Sequence, residues 1–110
     1  MKEKRKSKRF PVNLKVQYFL DEKEGDGKEC TIINISRSGA GLNFYTADDI
    51  GVNSTLILEI FIPVINKLID VKGIVRWLRK GKKDFVAGIE VPSELDRKEL
   101  VDLIGFIQGM

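Results

Sequence analysis

The chain has 110 residues, 43% hydrophobic and 32% charged, with a formal net charge of +3, one cysteine and no histidine. This is the size and composition of one folded domain, and no apolar run approaches the ~18 residues of a membrane span or follows the basic start as a secretory signal would. The lone Cys30 excludes a disulfide framework and fits a reducing, cytoplasmic setting, while the missing histidines argue against a structural zinc site and against Ser-His-Asp or histidine acid–base catalysis.

Charge is unevenly spread. Residues 1–9 carry six positive side chains against Glu3, or +5, and the other 101 residues carry 13 positives and 15 negatives, or −2. A segment so charged cannot bury itself, so residues 1–11 are expected to form a flexible basic strap ahead of a folded domain over 12–110. From Val12 the pattern has period two: Val12, Leu14, Val16, Tyr18 and Leu20 alternate with Asn13, Lys15 and Gln17, which predicts a half-buried strand. The polar stretch Asp21–Glu29, with two glycines, predicts an exposed turn. A second strand is expected over Cys30–Ile35, a turn over Asn34–Gly41, and a short third strand through Leu42 and Phe44. After the loop Asp48–Ser54, Leu56, Leu58, Ile60 and Ile62 predict a fourth strand, and Pro63 and Asn66 bracket a turn. Ile69, Val71, Gly73, Val75 and Trp77 share one parity in a long fifth strand, where Gly73 marks either a bulge or a close backbone approach. Arg79–Asp84 reads as a basic hairpin turn, and Phe85, Ala87, Ile89 and Val91 as a sixth strand. Leu100, Leu103, Ile104 and Ile107 then fall on one face of a helix over about 93–109, capped by Ser93 with Asp96 or by Asp96 with Glu99, and stopped at Gly109. The fold expected is mainly all-β: a six-stranded antiparallel β-barrel with a C-terminal α-helix.

Three constellations carry possible chemistry. Arg5 and Arg9 stand four apart in the strap, and a guanidinium binds phosphate oxygens or the O6/N7 edge of guanine bidentately and stacks on a base. Asn34, Ser36 and Gly39 sit in the turn between strands two and three, where short polar side chains and backbone N–H groups can form an anion-binding concavity. Trp77 and Arg79 end strand five beside Lys80, Lys82 and Lys83 and offer a stacking rim. Each has a plainer reading as well: chance spacing in a basic tail, a local Asx or Ser turn, and an aromatic packed at a sheet edge.

In this order the residues resemble the PilZ domain family, which binds the bacterial second messenger cyclic di-GMP. Arg5-Lys6-Ser7-Lys8-Arg9 before Phe10-Pro11-Val12 resembles the family's R-x-x-x-R strap, and Asn34-Ile35-Ser36-Arg37-Ser38-Gly39 its [D/N]-x-S-x-x-G turn. Gly73-Ile74-Val75-Arg76 and Gly88-Ile89-Glu90-Val91 resemble its glycine-led barrel strands. The resemblance implies that Arg5 and Arg9 hold guanine bases and phosphates, that Asn34 and Ser36 hydrogen-bond the other guanine, and that Gly39 lets the ligand sit against the turn. It places Trp77 and Arg79 where some members contact the nucleotide from the barrel side. Lys4 stands where other members have a further arginine, which leaves one ligand or a stacked pair open. The partners so implied are cyclic di-GMP and an effector protein, with no DNA or RNA, no cofactor and no metal. Two other readings are a small barrel that binds single-stranded nucleic acid and a PilZ-like adaptor that binds no ligand. An enzyme is not expected, because carboxylates such as Asp48, Asp49 and Glu59 form no recognisable catalytic set.

Overall fold

The computed structural model describes residues 9–20, 27–45 and 50–109. Arg5 and the rest of the strap up to residue 8 lie outside them, as do residues 21–26 of the expected turn and residues 46–49, which include Asp48 and Asp49. The described chain forms β1 (Phe10–Leu20), β2 (Lys28–Ile35), β3 (Gly39–Phe44), β4 (Thr55–Ile62), β5 (Lys67–Lys80), β6 (Phe85–Glu90) and α1 (Glu94–Gln108). The strands close in the order β1-β2-β3-β6-β5-β4, with every neighbouring pair antiparallel. The expected barrel and terminal helix are therefore present, and closure leaves no free sheet edge.

The alternation that marked the strands also fills the barrel. Val16 and Tyr18 of β1, Leu56, Leu58, Ile60 and Ile62 of β4, and Ile69, Val71 and Val75 of β5 are buried in one core with Ile32, Leu42 and Phe44. Tyr18 meets Phe44 edge to face, with ring centroids 5.0 Å apart at 82°. Cys30 lies in the same core, and burial, with Glu29 adding to it, pushes its thiol up to about 12, so it is an inert apolar filler at neutral pH.

Turn chemistry closes the hairpins. Pro63–Ile65 makes one 3₁₀ turn that Asn66 ends at φ 51°, a left-handed conformation asparagine tolerates. At the next hairpin the Gly81 N–H donates to the Asp84 carbonyl at 2.7 Å. Helix α1 starts where Ser93 Oγ accepts from the Asp96 N–H, the first of the two caps the sequence offered. Its face Leu100, Leu103 and Ile104 packs into the barrel, and Asp96 Oδ2 accepts the Lys72 N–H at 3.0 Å. Gly105 sits mid-helix on the opposite side, where an added Cβ meets nothing within 4 Å. Gly105→Ala is therefore expected to stabilise the domain by about 0.5–1 kcal/mol, read as a higher midpoint in urea; a loss of stability would show that the space is not open.

Three differences from the sequence expectation bear on the site. β1 starts at Phe10 rather than Val12, because Phe10 and Pro11 pair with Ile35 and Asn34. The turn expected over Asn34–Gly41 shrinks to Ser36–Ser38, since Asn34 still belongs to β2 and Gly39–Gly41 already belong to β3. Gly73 marks the close approach rather than a bulge: its missing Cβ makes room for the Ile89 side chain, whose Cδ1 would lie 2.6 Å away. The bulge of β5 falls between Val75 and Trp77.

Candidate functional site

Two bulges set the site. In β2, Cys30 and Ile32 face the core, and parity alone would turn Asn34 inward with them. The register shifts between Ile32 and Asn34, one extra residue intervenes, and Asn34 instead stands opposite Gly41 on the outer wall. In β5, Trp77 shares the parity of Ile69, Val71 and Val75, but the shift at Arg76 turns it outward, 40% exposed, while Leu78 packs on the core. Both bulges lie on the same side of the barrel, and they convert two core positions into surface ones.

The two residues face the same row of the sheet. Asn34 pairs with Gly41, Gly41 with Gly88, and Gly88 with Trp77. Directly paired residues project to one face, so this is a continuous strip across β2, β3, β6 and β5. Its middle has no side chains. A Cβ on Gly41 would meet Asn34 Nδ2 at 2.7 Å, and a Cβ on Gly88 would run into the Trp77 indole. The Asn34 amide and the indole therefore lie over a floor of two glycines and form a shallow platform. Arg79 covers the indole, its Cζ 5.6 Å from the ring centroid, a cation–π arrangement.

The strap enters this platform through its last residue. Arg9 Nη1 donates to Asn34 Oδ1 at 2.7 Å across 25 residues of sequence. Its Nε is buried and has no hydrogen-bond partner among the described residues, so that N–H is left without an acceptor there. Asn43, one row along β3, holds Asp84 Oδ2 through Nδ2 at 2.9 Å while its Oδ1 is likewise buried without a partner among the described residues. At the other end of the platform Arg76, the residue at the bulge, pairs with Glu90 at 2.6 Å and screens that carboxylate.

The turn beside the platform is braced internally. Ser36 is buried; its N–H donates to the Gly39 carbonyl at 2.9 Å, its hydroxyl donates to the same oxygen at 3.3 Å, and its Oγ accepts from the Ser38 N–H at 3.3 Å. Gly39 has a reason within the barrel itself, since a Cβ there would strike the Ile89 carbonyl oxygen across the β3–β6 ladder. The structure thus brings Arg9, Asn34, Trp77 and Arg79 onto one face with Ser36 and Gly39 at its end. Arg5 lies outside the described residues. Sequence reasoning named Gly88 only as the lead of a barrel strand and did not single out Gly41 or Asn43. A glycine inside each of two strands was the available signal for the first two, but only the strand register shows that they pair.

Gly88→Ala is expected to lift the indole off its floor. Trp77 is the only tryptophan, so its emission should shift to the red and quench more readily with acrylamide. Unchanged emission would place the indole elsewhere.

A closed six-stranded antiparallel barrel with one C-terminal helix and such a platform on its wall defines a class of small β-barrel domain. The PilZ domain family model matches residues 3–109, and the chain belongs to that family. No curated protein matches it in sequence. Similar solved structures include the PilZ domain with c-di-GMP of YcgR from Escherichia coli, at 12% identity, TM-score 0.73, covering 93% of this chain and 89% of that one. The inhibitor of motility MotI/DgrA of Bacillus subtilis matches at 18% identity, TM-score 0.70, over 96% of this chain and 51% of that one. The MrkH–c-di-GMP complex of K. pneumonia matches at 13%, TM-score 0.71, over 93% and 51%. The chain thus spans about half the length of MotI and MrkH and most of the YcgR domain.

Proposed function

We propose that this PilZ domain is a cyclic di-GMP receptor that passes ligand occupancy to an effector protein. The observation that carries the reading is the Arg9–Asn34 contact, which joins the two family motifs, strap and turn, at one end of a platform suited to a flat base. The ligand has two guanines and two phosphates and carries two negative charges. Arg9, with its remaining donors, and Arg5 bind guanine edges and phosphates; Asn34 and Ser36 serve the other guanine; Gly39 keeps the turn bare; Trp77 and Arg79 stack a base from the barrel side. Binding draws the basic strap ahead of β1 over the wall, and the ordered strap changes the surface an effector meets. The likeness to domains solved with c-di-GMP supports this reading. No step is catalytic. The unpaired Cys30 suits the cytoplasm, where such a messenger is made and read. Among the described residues no helix is long and apolar enough to cross a membrane.

Calorimetric titration of the full chain with cyclic di-GMP at moderate salt tests the reading. Saturable heat is expected at micromolar concentrations, and its absence at tens of micromolar would overturn the proposal.

A further inference from the structure

A second surface lies next to the nucleotide turn and is not part of the platform. A depression of about 250 Å³ opens between that turn and α1, lined by Arg37, Ser38, Glu94, Arg97, Lys98 and Val101. Its helical wall is one stripe: Glu94, Arg97, Lys98, Val101 and Gly105 recur at spacings of three and four. The stripe turns away from the buried face Leu100, Leu103 and Ile104, and Val101 is 45% exposed on it. Three cations line the depression against one carboxylate, on a body whose charge outside residues 1–9 is negative. Beyond Val101 the stripe runs through Gly105, a helix-weakening residue that no packing within the described chain requires, to the exposed Gln108. Cations beside the exposed Val101 and the bare Gly105 fit a segment with carboxylates followed by an apolar side chain.

The same wall is tied to the nucleotide turn by consecutive hydrogen bonds. Ser36 Oγ accepts from the Ser38 N–H, the Ser38 carbonyl accepts from the Val91 N–H at 2.8 Å, and the Val91 carbonyl accepts from Arg97 Nε at 2.7 Å. The turn and the guanidinium that lines the groove are thus joined by one run of hydrogen bonds.

We propose that this groove docks an acidic segment of a partner protein, and that the turn–Arg97 chain makes its affinity depend on the nucleotide. The docking stands by itself; the dependence rests on the receptor reading above. Reciprocity requires that the segment in turn alter nucleotide affinity by the same factor.

The test is amide NMR of the isotope-labelled full chain titrated with a peptide of alternating glutamate and leucine, with and without cyclic di-GMP. Saturable shifts are expected at Ser38, Lys98, Val101 and Gly105. Lys98→Glu removes them while nucleotide binding is retained, and the nucleotide changes peptide affinity about fivefold or more. No shift along this stripe at millimolar peptide overturns the docking. Stronger shifts of the same residues with polyuridylate assign the groove to nucleic acid and overturn the acidic segment. The same shifts on concentrating the protein alone assign it to a second copy, with the same consequence. An unchanged peptide affinity, with nucleotide shifts visible at Asn34 and Trp77, overturns the link. A nucleotide that shifts nothing overturns the receptor reading and leaves the peptide result standing.

Discussion

Arg9→Ala is expected to weaken cyclic di-GMP binding by about 1.5–3 kcal/mol, roughly 10- to 150-fold, the range for removing a charge-assisted hydrogen bond at a partly buried site. The position is specific. Among the described residues Arg9 joins the strap to the turn motif, through Nη1 to Asn34 Oδ1, and its buried Nε has no partner there. Arg9→Lys keeps the charge but loses the planar fork, so it should recover only part of the affinity. Because Arg9 and Asn34 touch, the double variant Arg9→Ala/Asn34→Ala should lose less than the sum of the single losses. Calorimetry on the four proteins gives the cycle. Full affinity in Arg9→Ala, with the barrel folded, would take Arg9 out of the site.

Phe44→Ala is expected to destabilise the barrel by about 3–5 kcal/mol, the range for removing a fully buried phenylalanine. Phe44 is 1% exposed and packs edge to face on Tyr18, so it ties β3 to β1 through the middle of the core. A domain of this size has a stability of roughly 5–15 kcal/mol, so the loss brings it close to the unfolding threshold. Phe44→Leu retains most of the apolar volume and should lose much less. Urea melts followed by circular dichroism measure both. A loss under about 1 kcal/mol for the alanine variant would mean that the neighbouring side chains collapse into the space and that no rigid core joins β1 to β3.

The barrel was legible because most of its wall obeys simple periods. Leu56, Leu58, Ile60 and Ile62 alternate and are buried, and Leu100, Leu103 and Ile104 recur at helical spacing and are buried. The candidate site was legible only through its motifs, because it lies where the period breaks. Parity groups Asn34 with Cys30 and Ile32, and Trp77 with Val71 and Val75. One extra residue in each strand reverses both, and an insertion of that kind leaves no mark in hydropathy. The glycine floor was hidden for a related reason. Gly41 and Gly88 are 47 positions apart and become one surface only through the β3–β6 register. Gly39 carried a visible motif, yet the neighbour that demands a glycine there is the Ile89 carbonyl, which no local pattern announces.

If the outer strip from Asn34 to Trp77 receives a cyclic dinucleotide beneath the basic leader, the amide and indole NMR spectrum of the labelled full chain will report it at once. Spectra recorded with and without that dinucleotide should differ at Arg9, Asn34, Gly41, Gly88 and the single Trp77 indole N–H, and leave the far wall of β4 in place. Spectra that superimpose at saturating dinucleotide, or shifts confined to β4, would show that the strip is not the receiving surface.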